Sequence, residues 1–385
     1  MKENRHTLSD LFQMQSLPLS AKIRMTEARI QVWINEFGTE GVAISFSGGK
    51  DSTVLMDIIR NRMNYKDIPA VFVDVPTQFP ELKQFALTWD NVEVLKPKIS
   101  FTEVCDKYGF PLISKEVAET IHGARSYYKR VCSEEITEES LRYVDYISIK
   151  EKTRGGYDRK WRKIRGINEF SKKNDEIGDK SMFSQEKYKF LVKANFDLSQ
   201  KCCDIMKKDP AHRYTKQTGR HFITGSMADE SRLRKQMWLQ NGCNVFDAKE
   251  PISNPMSFWT DQDVLQYIKE NNLPICSVYG DVIYDWENSE DVQGQLTISD
   301  IAGFEEEKRF DADKPLLKTT GCKRTGCMLC GFGCHLEKPG DGRFELLKKT
   351  HPGMYKLLDV IKNNGVTMRE AIEWINKNGG FDIKL

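Results

Sequence analysis

Val42-Ala43-Ile44-Ser45-Phe46-Ser47-Gly48-Gly49-Lys50-Asp51-Ser52-Thr53-Val54-Leu55 begins as a compact apolar run and ends as the first turn of a helix. Val42 to Phe46 has the character of a buried strand, and Ser52 to Arg60 carries Val54, Leu55, Ile58 and Ile59 on one helical face. Between them Gly48 and Gly49 turn the chain where backbone N–H groups and a helix N-terminus converge, a place suited to an anion. Lys50 is followed by Asp51 rather than Ser or Thr, which excludes the Walker phosphate loop, and no G-x-G-x-x-G is present to suggest a dinucleotide fold.

Upstream, Ser20 to Glu36 spaces Ile23, Ile30, Trp33 and Ile34 as an amphipathic helix, broken by Gly38 and Gly41. Downstream, Ala70 to Val75 is a second strand stopped by Pro76, and Phe222-Ile223-Thr224 is a third stopped by Gly225. Strands alternating with helices predict an α/β fold. Its parallel sheet carries helices on both faces, with a ligand crevice at the strand C-terminal ends. At 385 residues the chain is long enough for two or three compact units.

Composition narrows the class. Hydrophobic residues at 39% with 30% charge describe a globular chain, and a net charge of +2 excludes a protein that is basic overall. Charge is instead local. Lys150 to Lys173 holds ten Lys or Arg against three Asp or Glu, with Tyr157 and Trp161 among them. That mixture suits phosphate contact with base stacking, or equally a solvated insertion. Met1 to His6 lacks the apolar core of a signal peptide, and no stretch approaches the ~18 apolar residues of a membrane span. A cytoplasmic protein without membrane contact is expected, in which thiols serve metal, cluster or catalytic roles rather than disulfides.

The string Ser45-Phe46-Ser47-Gly48-Gly49-Lys50-Asp51-Ser52-Thr53 resembles the PP-loop of the ATP pyrophosphatase superfamily (HUP-like), whose members split ATP between the α- and β-phosphates. Phe72-Val73-Asp74 with Gln78-Phe79-Pro80-Glu81 resembles the second-strand motif of the phosphoadenosine phosphosulfate reductase family within it. Gly225-Ser226-Met227-Ala228-Asp229-Glu230-Ser231-Arg232-Leu233-Arg234 is similar to that family's glycine-arginine loop, with Met227 where arginine is common. Trp259 to Ile268, Leu273-Pro274 and Tyr279-Gly280 fit its following helix and turn, so the likeness covers most of residues 40–335.

The resemblance implies that ATP is held by Ser45, Ser47, Gly48, Gly49, Ser52, Gly225 and Ser226, with Lys50 as a cation beside the phosphates. Asp51 would position Mg²⁺ or cap the helix, and Asp74 would bind ribose or metal. Arg234 would be a phosphate or substrate ligand or else a surface ion pair, and Lys115 a crevice group or an exposed lysine. The expected organisation is a helical segment over 1–40 and a PP-loop domain over 41–290 with a charged insertion at about 117–199. A cysteine-rich segment over 291–385 follows, with helices near 343–349 and 367–377.

Of ten cysteines, Cys322, Cys327, Cys330 and Cys334 fall in one glycine-rich stretch, a set that suits either Zn²⁺ or an iron–sulfur cluster. Cys202-Cys203 before the glycine-arginine loop and Cys327-x-x-Cys330 after it resemble the arrangement of assimilatory adenylylsulfate reductases. Four such thiols there hold a [4Fe–4S] cluster. The resemblance implies a cluster on Cys203, Cys327 and Cys330, then Cys202, with Cys334 and Cys322 less favoured. Cys105, Cys132, Cys243 and Cys276 are expected to be packing thiols.

No cysteine follows Cys334, where those reductases place their attacking thiol, and the Lys50 loop is intact where theirs is altered. The expectation is therefore ATP-dependent sulfur insertion. A substrate would be adenylated with loss of pyrophosphate, then sulfur from sulfide or a cysteine desulfurase would displace AMP. His335 would aid proton transfer or lie in a supporting position. The alternatives are a sulfonucleotide reductase with Cys334 as its thiol, and a nucleotide- and nucleic-acid-binding module with structural zinc.

Overall fold

The computed structural model describes residues 5–131, 185–285, 315–337 and 342–385. The basic run 150–173 and Cys132 lie outside the described residues. Contacts sort the chain into two compact units, each assembled from separated stretches: unit 1 from Met1–Asp74, Gln78–Lys96 and Pro210–Gly326, unit 2 from Val75–Thr77, Pro97–Asp209 and Cys327–Leu385. The segments expected from the sequence run consecutively along the chain, whereas each of these contact units draws on separated stretches. The N-terminal helices pack into unit 1, and the cysteine-rich stretch is divided between the units at Gly326 and Cys327. Among the described residues no helix is long and apolar enough to cross a membrane.

In chain order the strands that matter are β1 (Val42–Ser45), β2 (Ala70–Val73), β3 (Val92–Leu95), β4 (Leu112–Ile113), β5 (His221–Thr224), β6 (Asn244–Val245), β7 (Ile252–Ser253), β8 (Val282–Asp285), β9 (Leu316–Thr319) and β10 (Gly331–Phe332). Unit 1 is built on a six-stranded sheet of order β3-β2-β1-β5-β7-β6, parallel except for the β6–β7 edge. β1 is fully buried over Val42–Ile44, as its apolar run requires, and registers Ile44 against Ala70 and against Ile223. The chain leaves β1 for β2 on one side and returns through β5 on the other, so the crevice of this sheet opens at the end of β1.

Helices α1 (Leu8–Gln15), α2 (Leu19–Phe37) and α3 (Lys50–Asp57) belong to the same unit. α2 buries Ile23, Ile30, Trp33 and Ile34 in the core that also takes Val54, Leu55, Ile58 and Ile59 from α3 and its continuation. That continuation, Ile58–Arg62, widens into a π turn closed by the Met63 N–H on the Ile58 carbonyl at 3.0 Å. The helix Asp261–Glu270 is anchored to α2 by a buried ion pair: Lys22 Nζ lies 2.7 and 2.6 Å from the two Asp263 oxygens. Asp263 is also the third residue of a capping box with Thr260. One carboxylate thus fixes both the helix start and its place on the core.

Helix α4 (Pro80–Ala86) belongs to unit 1, and α5 (Phe101–Tyr108) and α6 (Lys115–Val131) belong to unit 2. β4 pairs in parallel with β10, Ile113 opposite Phe332. The expected C-terminal helices are Arg343–Thr350 and Met368–Gly379, the second opened by a Thr367–Glu370 capping box. Arg125 of α6 is the rivet of this unit: its guanidinium donates to the carbonyls of Val192 at 3.0 Å, Phe196 at 2.8 Å and Leu191 at 2.9 Å, and to Ala194. It also pairs with Asp197 at 2.9 Å.

Arg125→Ala is expected to cost about 3 kcal/mol, because several carbonyls lose a charged donor together. Urea unfolding of the full chain would measure it, with hydrogen exchange at Leu191–Asp197 rising first. Unchanged protection there would show that the cage contributes nothing.

Candidate active site

The Ser47–Ser52 turn sits at the end of β1 and is held by its own hydroxyls. The Ser47 N–H donates to Ser52 Oγ at 3.2 Å, the Gly49 N–H to Ser47 Oγ at 3.3 Å, and Ser52 Oγ to the Gly49 carbonyl at 2.9 Å. Gly48 has φ +71°, and a Cβ there would lie 2.7 Å from the Leu82 carbonyl oxygen. Gly225, after β5, would bring a Cβ to 2.9 Å from the Asp51 carbonyl oxygen. Both glycines are required by close backbone approach. Gly48→Ala is expected to strain the turn and destabilise the fold by about 1–2 kcal/mol; urea unfolding of the full chain checks this, and unaltered stability would contradict it.

Lys50, at the first position of α3, is 2% exposed. Its ammonium lies 2.9 Å from Asp51 and 2.6 Å from Asp261. Burial works against its charge, but Asp51 and then Asp261 outweigh it and hold Lys50 above its ordinary value. Burial pushes the Asp51 carboxyl up despite Lys50, with Glu230 and Asp261 adding like charge. Asp229 is raised chiefly by burial as well. The result is a cation fixed at a helix N-terminus and surrounded by acids, one of which holds its proton more tightly than an ordinary aspartate.

The other sequence candidates of unit 1 have these partners. Ser45 closes β1 and is half-buried. Asp74, just past β2, takes Lys83 Nζ at 2.6 Å. Ser226 Oγ accepts from Thr224 Oγ1 at 3.1 Å. Arg234 pairs with Glu230 one turn away on the helix Arg232–Asn241. Met227 is buried in the core, so at that position the chain uses packing. Cys322 is half-buried in unit 1, and burial raises its thiol.

Three residues of this site escaped the sequence reading. Asp261 looks like an ordinary acid in the first turn of a capped helix. Tyr279 was noticed only within a Tyr-Gly turn, yet its hydroxyl accepts the Lys50 N–H at 3.2 Å. Thr325 Oγ1 lies 2.9 Å from that same hydroxyl.

Five of the six candidate cysteines belong to unit 2. Cys202, Cys203, Cys327 and Cys330 line one cavity of about 20 Å³ together with Thr77, Phe101, Pro111, Met206 and Lys207. The Cys203 thiol is lowered to about 5 by a hydrogen bond from Cys202, and by Lys115 and Lys207. Cys202 is driven strongly upward as the donor of that bond and by burial. Lys115, itself exposed, opens α6 and hydrogen-bonds Cys203. Thr77 is 3% exposed, and its hydroxyl is buried with no hydrogen-bond partner among the described residues.

Cys334 does not line the cavity. It is 2% exposed, its Sγ points to the Cys330 carbonyl at 3.7 Å, and burial pushes its thiol up to about 12. His335 Nε2 meets the Tyr188 hydroxyl at 3.1 Å, and burial lowers the imidazole. Beside the cavity segment, Ile113 has φ +67°, a strained conformation for a β-branched residue, while paired to Phe332 two residues past Cys330. Cys105, Cys243 and Cys276 are buried and free.

Among the described residues no group of three or more His, Cys, Asp or Glu side chains is set to hold a metal ion. The cavity is about the size of one water molecule. The donor chemistry nonetheless fits a thiolate-held group: four sulfurs, two lysines to offset their charge, and a hydroxyl that has no partner among the described residues.

The family model described as the phosphoadenosine phosphosulfate reductase domain matches residues 41–146 and 153–331. Two curated relatives are probable FAD synthases. That of Caenorhabditis elegans is 32% identical over 83 residues, 20% of this chain and 16% of that protein. That of Caenorhabditis briggsae is 28% identical over 95 residues, 23% of this chain and 18% of that protein. The chain thus spans less than a fifth of the length of these relatives. Among solved structures, phosphoadenylyl-sulfate (PAPS) reductase from Candida auris in its phosphate complex matches at 15% identity and TM-score 0.32, over 68% of this chain and 88% of that one.

Proposed function

The chain belongs to the phosphoadenosine phosphosulfate reductase domain family, and on that premise we propose that it binds an adenine nucleotide and catalyses ATP-dependent sulfur transfer. A substrate oxygen attacks the α-phosphorus of ATP, the α–β P–O bond breaks, and pyrophosphate leaves with the electron pair. Hydrosulfide then bonds to the atom bearing the adenylated oxygen, and AMP departs with that oxygen.

One observation carries this reading: Lys50 is a buried cation at the N-terminus of α3, clamped by Asp51 and Asp261. A departing pyrophosphate needs positive charge at such a place, held before the reaction begins. Reduction at the sulfur of a sulfonucleotide leaves the phosphate bonds whole and makes no such demand. The hydroxyls of Ser47 and Ser52 and the turn amides complete the anion site, while Asp51 and Asp261 offer hard oxygens for Mg²⁺. Asp74 and Arg234 would each have to leave a present partner, Lys83 and Glu230, to meet ligand.

A [4Fe–4S] cluster would be held by Cys203, Cys327 and Cys330, with Cys202 the next candidate thiol, and with three protein thiolates it would supply an iron able to take sulfide. Zinc is the alternative metal, with a structural role. Lys115, Lys207 and Thr77 would offset charge and donate hydrogen bonds there. The basic run 150–173 would serve a nucleic-acid acceptor.

The family description favours one second reading, sulfonucleotide reduction. Cys334, its sequence candidate, is a buried thiol pushed up to about 12, a poor nucleophile at neutral pH. The two readings separate when the anaerobic protein is given ATP with Mg²⁺ or adenylylsulfate with thiol. Pyrophosphate and AMP from the first support sulfur transfer, and sulfite from the second supports reduction.

A further inference from the structure

The Tyr279 ring is buried against Leu82 and Cys276, 2% exposed, with only its hydroxyl reaching the phosphate turn. Its backbone is clipped in place: the Gly321 N–H donates to the Tyr279 carbonyl at 2.8 Å, and the Cys322 N–H to the Val278 carbonyl at 2.8 Å. The next residue, Gly280, has φ +63°, and a Cβ there would lie 2.1 Å from Thr320 Oγ1. The same clip delivers Thr325, whose Oγ1 is 2.9 Å from the Tyr279 hydroxyl. Both hydroxyls lie over Gly49: a Cβ built on it would be 3.3 Å from Tyr279 Oη and 3.5 Å from Thr325 Oγ1.

The proton count gives this pair a purpose. The Tyr279 oxygen accepts the Lys50 N–H, so that amide is not offered to a ligand. Either hydroxyl can donate in the 2.9 Å bond between them; when Thr325 donates, the tyrosine proton is free for a ligand at the turn, beside Gly49. A rigid phenol replaces one backbone donor by a hydroxyl donor, at a spot set by a buried ring rather than by a mobile side chain.

We infer that Tyr279, oriented by Thr325, is a ligand-positioning residue of the phosphate site. Its hydroxyl contacts the pyrophosphate portion of the nucleotide. The inference rests on the phosphate-loop reading of Ser47–Ser52 and goes beyond it by adding two residues from outside the turn.

The test is calorimetric titration of the full chain with inorganic pyrophosphate, ATP and adenosine in the presence of Mg²⁺. Tyr279→Phe is expected to weaken pyrophosphate and ATP binding roughly tenfold while leaving adenosine unchanged. Thr325→Val is expected to act in the same direction and less strongly, and Thr325→Ser to retain wild-type affinity. A general loosening of the fold would not select the phosphate-bearing ligands or be rescued by serine. Equal or tighter pyrophosphate binding by Tyr279→Phe overturns the inference alone. No binding of pyrophosphate or ATP by the wild-type chain overturns the phosphate-loop reading and the inference with it.

Discussion

Lys50→Met is expected to slow ATP-dependent pyrophosphate release by about 10²–10³-fold, the loss seen when one preorganised charge-stabilising group is removed from a site. The methionine keeps most of the volume of a side chain that is almost fully buried, so packing is largely preserved. What is lost is the charge. Asp51 and Asp261, now without their partner, no longer have a cation between them. Removing one partner from a buried pair is costly, but Asp261 is partly exposed and burial already raises the Asp51 carboxyl. The fold should therefore survive, and circular dichroism serves as the control. Adenosine affinity should remain while turnover collapses; turnover within a few-fold of wild type would remove Lys50 from the chemistry.

The second large effect is expected at the thiols. Cys203→Ser, Cys327→Ser and Cys330→Ser should each reduce bound metal to a small fraction of wild type when the protein is purified without oxygen. Cys334→Ser and Cys322→Ser should retain it, because neither side chain lines the cavity. Absorption near the visible thiolate–iron bands with iron and sulfide analysis reads the outcome. Cys203 is the most informative position, since Cys202, Lys115 and Lys207 hold it as a thiolate near neutral pH, the form a metal needs. A colourless wild-type protein loaded with zinc would overturn the cluster, and equal loss in all five variants would overturn the choice of thiols.

The sequence made β1, β2 and β5 legible because each is a short apolar run stopped by glycine or proline, and the turn after β1 because its residue types are so restricted. β6 and β7, two residues each, carry no readable period. The compact units were hidden for a different reason: Val75–Thr77 belongs with Cys327–Leu385 while Asp74 and Gln78 do not, a division made by distant contacts rather than by composition.

The cysteine site was legible by spacing, but its cations and its orphaned hydroxyl were not. Lys115 matters because it starts α6 beside Cys203, and Thr77 because its hydroxyl is sealed without a partner among the described residues. In the phosphate turn, Asp261 and Tyr279 come from more than 200 residues away in sequence and look locally like a helix start and a turn. Spacing reveals residues that act together only when they are close in sequence.

In the proposed function the Lys50 turn serves cleavage of ATP between its α- and β-phosphates. Phosphorus NMR of the anaerobically purified full chain tests it directly, with ATP, Mg²⁺, sulfide and, in turn, bulk RNA, duplex DNA and free nucleosides as acceptors. AMP and pyrophosphate in equal amounts, abolished in Lys50→Met, is the predicted result. ADP with phosphate, or intact ATP alongside sulfite production from adenylylsulfate, would contradict it.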